Sequence, residues 1–170
     1  MFSIRTAVAT DSSALAHLAA KVFAATYGAV IPSEILAQHL RLYYADNALQ
    51  SQLAEPTIRY FVACHGEQLV GLCKLEESPI HPSVTLKQPI ELAKLYIDGE
   101  FQGRRIANGL LQSALDFAHS LNKDGLWLCV WKQNPRALTF YHKAGFQTVG
   151  STIIDVDGIA FDDAVMQVNV

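Results

Sequence analysis

The stretch from Gln102 to Ala107, Gln-Gly-Arg-Arg-Ile-Ala, is the part of this chain whose residue types and setting most directly suggest chemistry. An apolar, strand-like run precedes it and a run with helical spacing follows, so the backbone turns there straight into a helix. Such a turn gathers N–H groups that no helix carbonyl can take, together with the positive end of the helix dipole, and that combination binds phosphate. The same composition is also ordinary turn chemistry, because a glycine between a strand and a helix needs no ligand to justify it. Neither a Walker loop, GxxxxGK followed by Ser or Thr, nor the dinucleotide fingerprint GxGxxG occurs. His17, His39, His65, His81, His119 and His142 are scattered without HExxH or another ligand spacing, and read as solvated or locally bonded side chains. Cys64, Cys73 and Cys129 form no CxxC pair and leave one thiol over, which indicates neither zinc nor a disulfide framework. Each sits among apolar residues, as a small buried hydrophobe of a reducing compartment would.

The elements that must position the loop follow from periodicity. Residues 2–7 read as a short strand, and Thr10 or Asp11 then offers an oxygen to cap a helix with Leu15, Leu18, Ala19, Val22 and Phe23 at helical spacing, ending near Gly28. A second helix after Pro32 carries Ile35, Leu36, His39, Leu40 and Tyr43 on one side, and a third, short one lies around 49–53. Residues 58–64 and 68–75 read as a hairpin, and the proline-containing stretch 78–89 as a surface loop or strand edge. A strand over 90–97, a polar loop over 98–104 and an amphipathic helix over 105–121 follow, the last with Leu110, Leu111, Ala114, Leu115 and Ala118 inward. Residues 125–131 form the next strand, Asn134 and Pro135 open a helix that Gly145 closes, and strands over 146–155 and 159–168 turn at Asp157-Gly158. That order predicts one α/β domain over 1–170 with a mixed sheet.

Bulk composition agrees. Of 170 residues 51% are apolar and 17% charged, enough for one sizeable core, and the net charge of -3 excludes a sequence-independent nucleic-acid surface. Arg136 between Lys132 and Lys143 is too sparse a basic cluster to change that. With polar residues through its start and no apolar run of about 20 residues, the chain is expected to be cytoplasmic, with no membrane partner.

Two segments together are more specific than either alone. The run ELAKLYIDGEFQGRRIANGLL, and NPRALTFYHKAGF beginning 23 residues after Leu111, resemble the coenzyme A signature of the GNAT acetyltransferase superfamily. Its core pattern, Gln or Arg, two residues, Gly, one residue, Gly or Ala, fits 102–107 with Arg105 where glycine is usual. Asn134, Ala137, Phe140, Tyr141, Gly145 and Phe146 supply the second pattern. A register two residues on, over 104–109, also satisfies the core pattern, but only the first leaves Leu110 and Leu111 where the family has its paired leucines. A Cβ at position 105 could hold a pyrophosphate off the backbone, whereas a guanidinium is itself a good phosphate partner.

The resemblance implies a mostly antiparallel, twisted sheet of about seven strands with flanking helices and splayed central strands. It implies acetyl-CoA as co-substrate, a small-molecule amine as acceptor and no metal. The pantetheine arm would lie along Leu95, Tyr96 and Ile97 as an added strand. Gln102, Gly103, Arg104, Arg105, Ile106, Ala107, Asn108 and Gly109 would form the pyrophosphate cradle, with Arg136 and Lys143 assisting. Asn134 would contact the cofactor near its thioester, and Tyr141 would be the general acid, where the bland alternative is a core tyrosine. Glu91 occupies the place where several members keep a catalytic glutamate and would be the base; otherwise it is a solvated strand end. An acyl-cysteine route through Cys129 lacks a visible activating base.

Within the superfamily, TYGAVIPSEILAQHL, the pattern of Trp127, Val130 and Trp131, and the tail with Asp163 and Met166 are similar to the bacterial spermidine/spermine N-acetyltransferase branch. Glu34, Glu76, Glu77, Asp155, Asp162 and Asp163 could wall a polycation site, although acidic residues usually mark solvated faces. The alternatives are an acetyltransferase for amino acids or protein N-termini, a non-catalytic acyl-CoA-binding or sensing module, and a nucleotide-binding α/β protein. Association through the final hairpin would give a homodimer.

Overall fold

The computed structural model describes residues 2–170. Its elements are β1 (Phe2–Thr6), α1 (Ser12–Tyr27), α2 (Ser33–Tyr43), α3 (Asp46–Ala54), β2 (Ile58–His65), β3 (Gln68–Glu76), β4 (Ile90–Ile97), α4 (Ile106–Ser120), β5 (Gly125–Trp131), α5 (Pro135–Lys143), β6 (Gln147–Val156) and β7 (Ile159–Asn169). Seven strands form one sheet in the order β1-β2-β3-β4-β5-β7-β6. β1 runs antiparallel to β2, and β7 antiparallel to both β5 and β6, whereas β4 and β5 are parallel, so the sheet is mixed as expected. The parallel ladder joins Ile90 to Leu126 and Glu91 to Trp127 and ends there. Among the described residues no helix is long and apolar enough to cross a membrane. By their contacts the residues fall into two compact units, Met1–Leu75 with Lys94–Ser113, and Glu76–Ala93 with Ala114–Val170.

In the first unit α1 buries Leu15, Leu18, Ala19 and Phe23, the stripe its spacing predicts, while Val22 is only half-buried. Full burial of a leucine contributes about 1.5–3 kcal/mol, so this stripe, rather than the helix ends, holds α1. Asp11 does not cap the helix as the sequence suggested. Its carboxylate instead accepts from Arg5 at 2.6 and 2.9 Å and from the Val8 N–H at 2.8 Å, because the guanidinium of β1 offers a charge-assisted pair where the helix end offers a neutral N–H. α3 starts at Asp46, earlier than the apolar spacing indicated. Gly71 in β3 lets α4 settle on the sheet. A Cβ there would come within 2.9 Å of Ile97 and 3.1 Å of Ile106 and Leu110.

In the second unit β5 alternates. Leu126, Leu128 and Val130 are buried on one face, and Trp127, Cys129 and Trp131 lie on the other. The ladder pairs Trp127 with Gln167, Cys129 with Val165 and Trp131 with Asp163, and Asp163 with Thr152 on β6. Asp157 and Gly158 make the β6–β7 turn with φ of 50° and 88°, as the sequence required. The connection between β3 and β4 has no regular structure but is tied down on this face. Thr85 N–H donates to Gln167 Oε1 at 2.8 Å, and Ser78 Oγ donates to Glu91 Oε2.

Candidate functional site

The first unit carries the phosphate-loop candidate. Leu95, Tyr96 and Ile97 end β4, each half-buried. Asp98 follows, with its side chain only 4% exposed. It caps the 3-10 turn Gly99–Phe101 by accepting from the Glu100 N–H at 3.3 Å. Lys21 Nζ meets the same carboxylate at 2.8 and 3.0 Å, and this pairing holds Asp98 below its ordinary pKa despite burial. The turn that delivers the loop is thus fixed from beneath by an ion pair.

Gln102 Nε2 donates to the Ile97 carbonyl at 3.4 Å. Gly103 then takes φ 79° and Arg105 φ 61°, both in the left-handed region. An added Cβ at Gly103 would meet nothing within 4 Å, so glycine is required there by its dihedral and not by crowding. Arg105 shows why the family pattern favours glycine at its position: the backbone is left-handed and a branched-off Cβ is strained there. Gly109 N–H bonds the Arg105 carbonyl at 3.3 Å, which makes Arg105 the residue before the first helical turn. The N–H groups of Ile106, Ala107 and Asn108 therefore have no carbonyl of their own helix to bond. Left-handed residues alternating along a loop that opens a helix form a concave nest of N–H groups suited to an anion. Arg104 lies 5.1 Å over the Phe101 ring, a cation–π contact that steadies it, and Arg104 and Arg105 are both exposed. An open, left-handed, doubly basic loop on a helix N-terminus fits the pyrophosphate of coenzyme A.

The second unit carries the remaining candidates. Glu91 is half-buried, accepts from Ser78, and presses electrostatically on Cys129 from the same face of the sheet. Asn134 precedes α5 and its Oδ1 caps the helix by accepting from the Ala137 N–H at 3.2 Å, so what this side chain offers a ligand is its NH2 group. Tyr141 is 8% exposed, with Phe140 and Phe146 packed edge-on at 5.4 and 5.3 Å. Arg136 and Lys143 are exposed on the same helix. Burial, with the carboxylates of Glu91 and Asp163, pushes the Cys129 thiol up to about 11, which disfavours a nucleophilic thiolate.

Of the six carboxylates considered for a cationic acceptor, Glu77 pairs with Lys123 at 3.1 Å, Asp162 with Lys132 at 2.6 Å, and Asp155 accepts from the Gly158 N–H at 3.1 Å. Asp163 differs from all of them. It is 8% exposed and its Oδ1 has no hydrogen-bond partner among the described residues. Burial chiefly, then the Asp162 charge, raises it to about 6 against a smaller lowering by Lys132. Its charge alone groups it with solvated acids; cross-strand register, which sets Asp163 opposite Trp131 and Val165 opposite Cys129, places it on the face of those side chains and is not legible in the sequence.

A sequence profile of the acetyltransferase (GNAT) family matches residues 25–146. An uncharacterized N-acetyltransferase from the pepI 3' region of Lactobacillus delbrueckii subsp. lactis is 28% identical over 126 residues, covering 74% of this chain and 72% of that protein. The fold is similar to that of the PaiA N-acetyltransferase of Thermoplasma acidophilum, solved with coenzyme A, at a TM-score of 0.77 and 22% identity over 100% of this chain and 99% of that one. It is also similar to that of the Vibrio cholerae spermidine N-acetyltransferase, solved with coenzyme A and spermine, at a TM-score of 0.69 and 23% identity over 99% and 95% of the two chains.

Proposed function

The chain belongs to the acetyltransferase (GNAT) family, and from that premise we propose that it moves the acetyl group of acetyl-CoA onto the nitrogen of a small cationic amine by direct attack. The observation that carries the reading is the loop that opens α4, with left-handed backbone at Gly103 and Arg105 and the leading N–H groups of the helix beyond it. Residues 102–109 hold the pyrophosphate, the β4 backbone at Leu95, Tyr96 and Ile97 receives the pantetheine amides, and the Asn134 NH2 group, Arg136 and Lys143 add further polar contacts. Bound acetyl-CoA supplies an acyl group activated as a thioester.

The chain's own groups manage the protons. An aliphatic amine has a pKa near ~10 and enters as a cation, so Glu91 takes its proton, directly or through water, and Ser78 keeps that carboxylate oriented. The new bond joins amine nitrogen to acyl carbon, the carbon–sulfur bond breaks, Tyr141 gives its proton to the leaving thiolate, and the second proton lost from the nitrogen returns to the Tyr141 oxygen, directly or through water. The raised Cys129 thiol favours this route over an acyl-enzyme.

A polyamine acceptor is the finer form of the proposal. It is supported by the Trp127, Val130 and Trp131 pattern of β5 and by the fold likeness to the spermidine enzyme. The test is thiol release from acetyl-CoA across polyamines, simple alkylamines, amino acids and peptide N-termini. Turnover with alkylamines or polyamines supports the reading, and turnover with peptides alone moves the acceptor class. Tight coenzyme A binding with no turnover on any amine would leave a sensing module.

A further inference from the structure

We propose that Asp163 receives the ammonium group of the acceptor, with its buried Oδ1 accepting an N–H of the cation beside the aromatic wall of Trp131 and Phe161. This rests on the acetyltransferase reading and names the substrate group that the second unit is built to recognise.

The geometry comes first. Asp163 is 8% exposed, and among the described residues its Oδ1 has no hydrogen-bond partner. A buried acceptor left unpaired costs about 1–3 kcal/mol, so a fold does not keep one for stability. Its strand register places it opposite Trp131, two residues along from the Cys129–Val165 pair. Phe161, on the same face of β7, meets the Trp131 ring edge-on at 5.3 Å and is 3% exposed. A carboxylate beside two aromatic rings is a setting that favours a compact cation over an anion or a neutral polar group.

The surrounding charges agree. Lys132, just after β5, is 2.6 Å from Asp162 and so is already matched. Cys129 on β5 stays a neutral thiol, Glu91 on β4 adds a second carboxylate to the face, and β6 presents Thr152 opposite Asp163. Among the described residues, the charges that act on Asp163 are those of Asp162 and Lys132, which pair with each other, and Cys129 on the shared face feels both Asp163 and Glu91. With two carboxylates on the face, an acceptor bearing its own carboxylate beside the amine is disfavoured by like-charge repulsion. The acceptor class is an alkylammonium without an adjacent anion.

The test compares wild type, Asp163→Asn and Asp163→Ser on butylamine and on an arylamine of similar size that is neutral at the assay pH. Removing a charge-assisted hydrogen bond is expected to lower kcat/KM for butylamine about 10- to 100-fold, mainly through KM. The arylamine should change by less than about threefold, since it brings no charge to lose. Acetyl-CoA affinity should be unchanged in all three proteins. The inflection of the wild-type butylamine profile near the Asp163 pKa of about 6 should be lost in Asp163→Asn, while any acid limb imposed by the base Glu91 is shared by both proteins and by the arylamine. Equal losses on both amines, or butylamine profiles of the same shape in wild type and Asp163→Asn, would overturn the assignment. If the wild type binds coenzyme A but acetylates neither amine, the reaction assigned above fails separately. Binding of butylammonium to the coenzyme A complex, present in wild type and lost in Asp163→Asn, would then still uphold the assignment, and equal binding would end it.

Discussion

Above about pH 6, Asp163→Asn should make the protein more stable while it makes the enzyme worse. The Asp163 carboxyl rises from 3.8 to about 6 in the folded chain, chiefly through burial. A tenfold change in an ionisation constant is about 1.4 kcal/mol, so the folded state bears up to roughly 3 kcal/mol against the anion once Asp163 is fully ionised. The folded chain binds this proton more tightly than the unfolded chain does. Stability from this group is therefore intact below pH 3.8, falls as pH rises through about 6, and is level above that. Asparagine keeps the shape and removes the charge, but its own NH2 must find a partner, which returns part of the gain. The net expectation at pH 7.5 is about 1–2 kcal/mol of added stability, or a few degrees in Tm. Urea titrations of both proteins at half-unit steps from pH 4 to pH 8 read it directly. Because the amide cost does not vary with pH, the difference should be at or below zero at pH 4, rise by about 2 kcal/mol to about pH 6.5 and then stay constant. A flat difference, or a variant less stable than wild type at pH 7.5, would show that the carboxylate is satisfied in solution and would refute the reasoning.

Tyr141→Phe should cut turnover about 10²- to 10⁴-fold, the usual worth of a positioned general acid, with coenzyme A affinity kept; full activity would return Tyr141 to the role of a core residue. Arg105→Gly should gain about 1 kcal/mol in denaturant titration by relieving the left-handed backbone, yet weaken coenzyme A binding in a salt-dependent way; unchanged affinity at low salt would remove the guanidinium from the cradle. Asp98→Ala removes both the Lys21 pair and the cap of the turn before the loop; a lower midpoint in denaturant titration is expected, with a fall in coenzyme A affinity by calorimetry, and unchanged affinity would free the loop from this support. Initial-rate kinetics with both substrates varied should give intersecting lines, and Cys129→Ser should stay active; parallel lines would mean an acyl-enzyme forms after all.

What could be read from the sequence was mostly local. β5 is found where its apolar run lies, Asn134 caps α5 ahead of Pro135, and Asp157-Gly158 turns the last hairpin, because each depends on neighbouring residues. Asp11 misled, since its partner Arg5 on β1 outcompeted a helix cap that was equally close in sequence. The left-handed backbone at Arg105 was hidden by its side chain, as arginine carries no preference for that region. Asp163 and Glu91 depended on non-local information. Their surroundings are set by cross-strand register and by Ser78 in the β3–β4 connection, none of which periodicity can supply.

The strained loop and the unpaired carboxylate have a common consequence that can be weighed. Each unit carries a costly exception to local preference, the first at Arg105 with φ 61° and the second at Asp163, whose Oδ1 has no hydrogen-bond partner among the described residues. Sequences that specify one fold ordinarily satisfy every local preference, and exceptions persist where another demand outweighs them. An anion on the α4 N-terminus would not relieve the Arg105 dihedral, so that cost is permanent and Arg105→Gly should remain the more stable protein with or without cofactor. An ammonium on Asp163 would relieve its cost, because the pairing restores what burial removed. The two sites therefore predict different thermal responses. Coenzyme A should raise the Tm of wild type and Asp163→Asn alike, by the amount its concentration and affinity dictate. Alkylammonium, added to the coenzyme A complex, should raise the Tm of wild type and leave Asp163→Asn where it was. A rise of equal size in both would mean that the cation is held elsewhere.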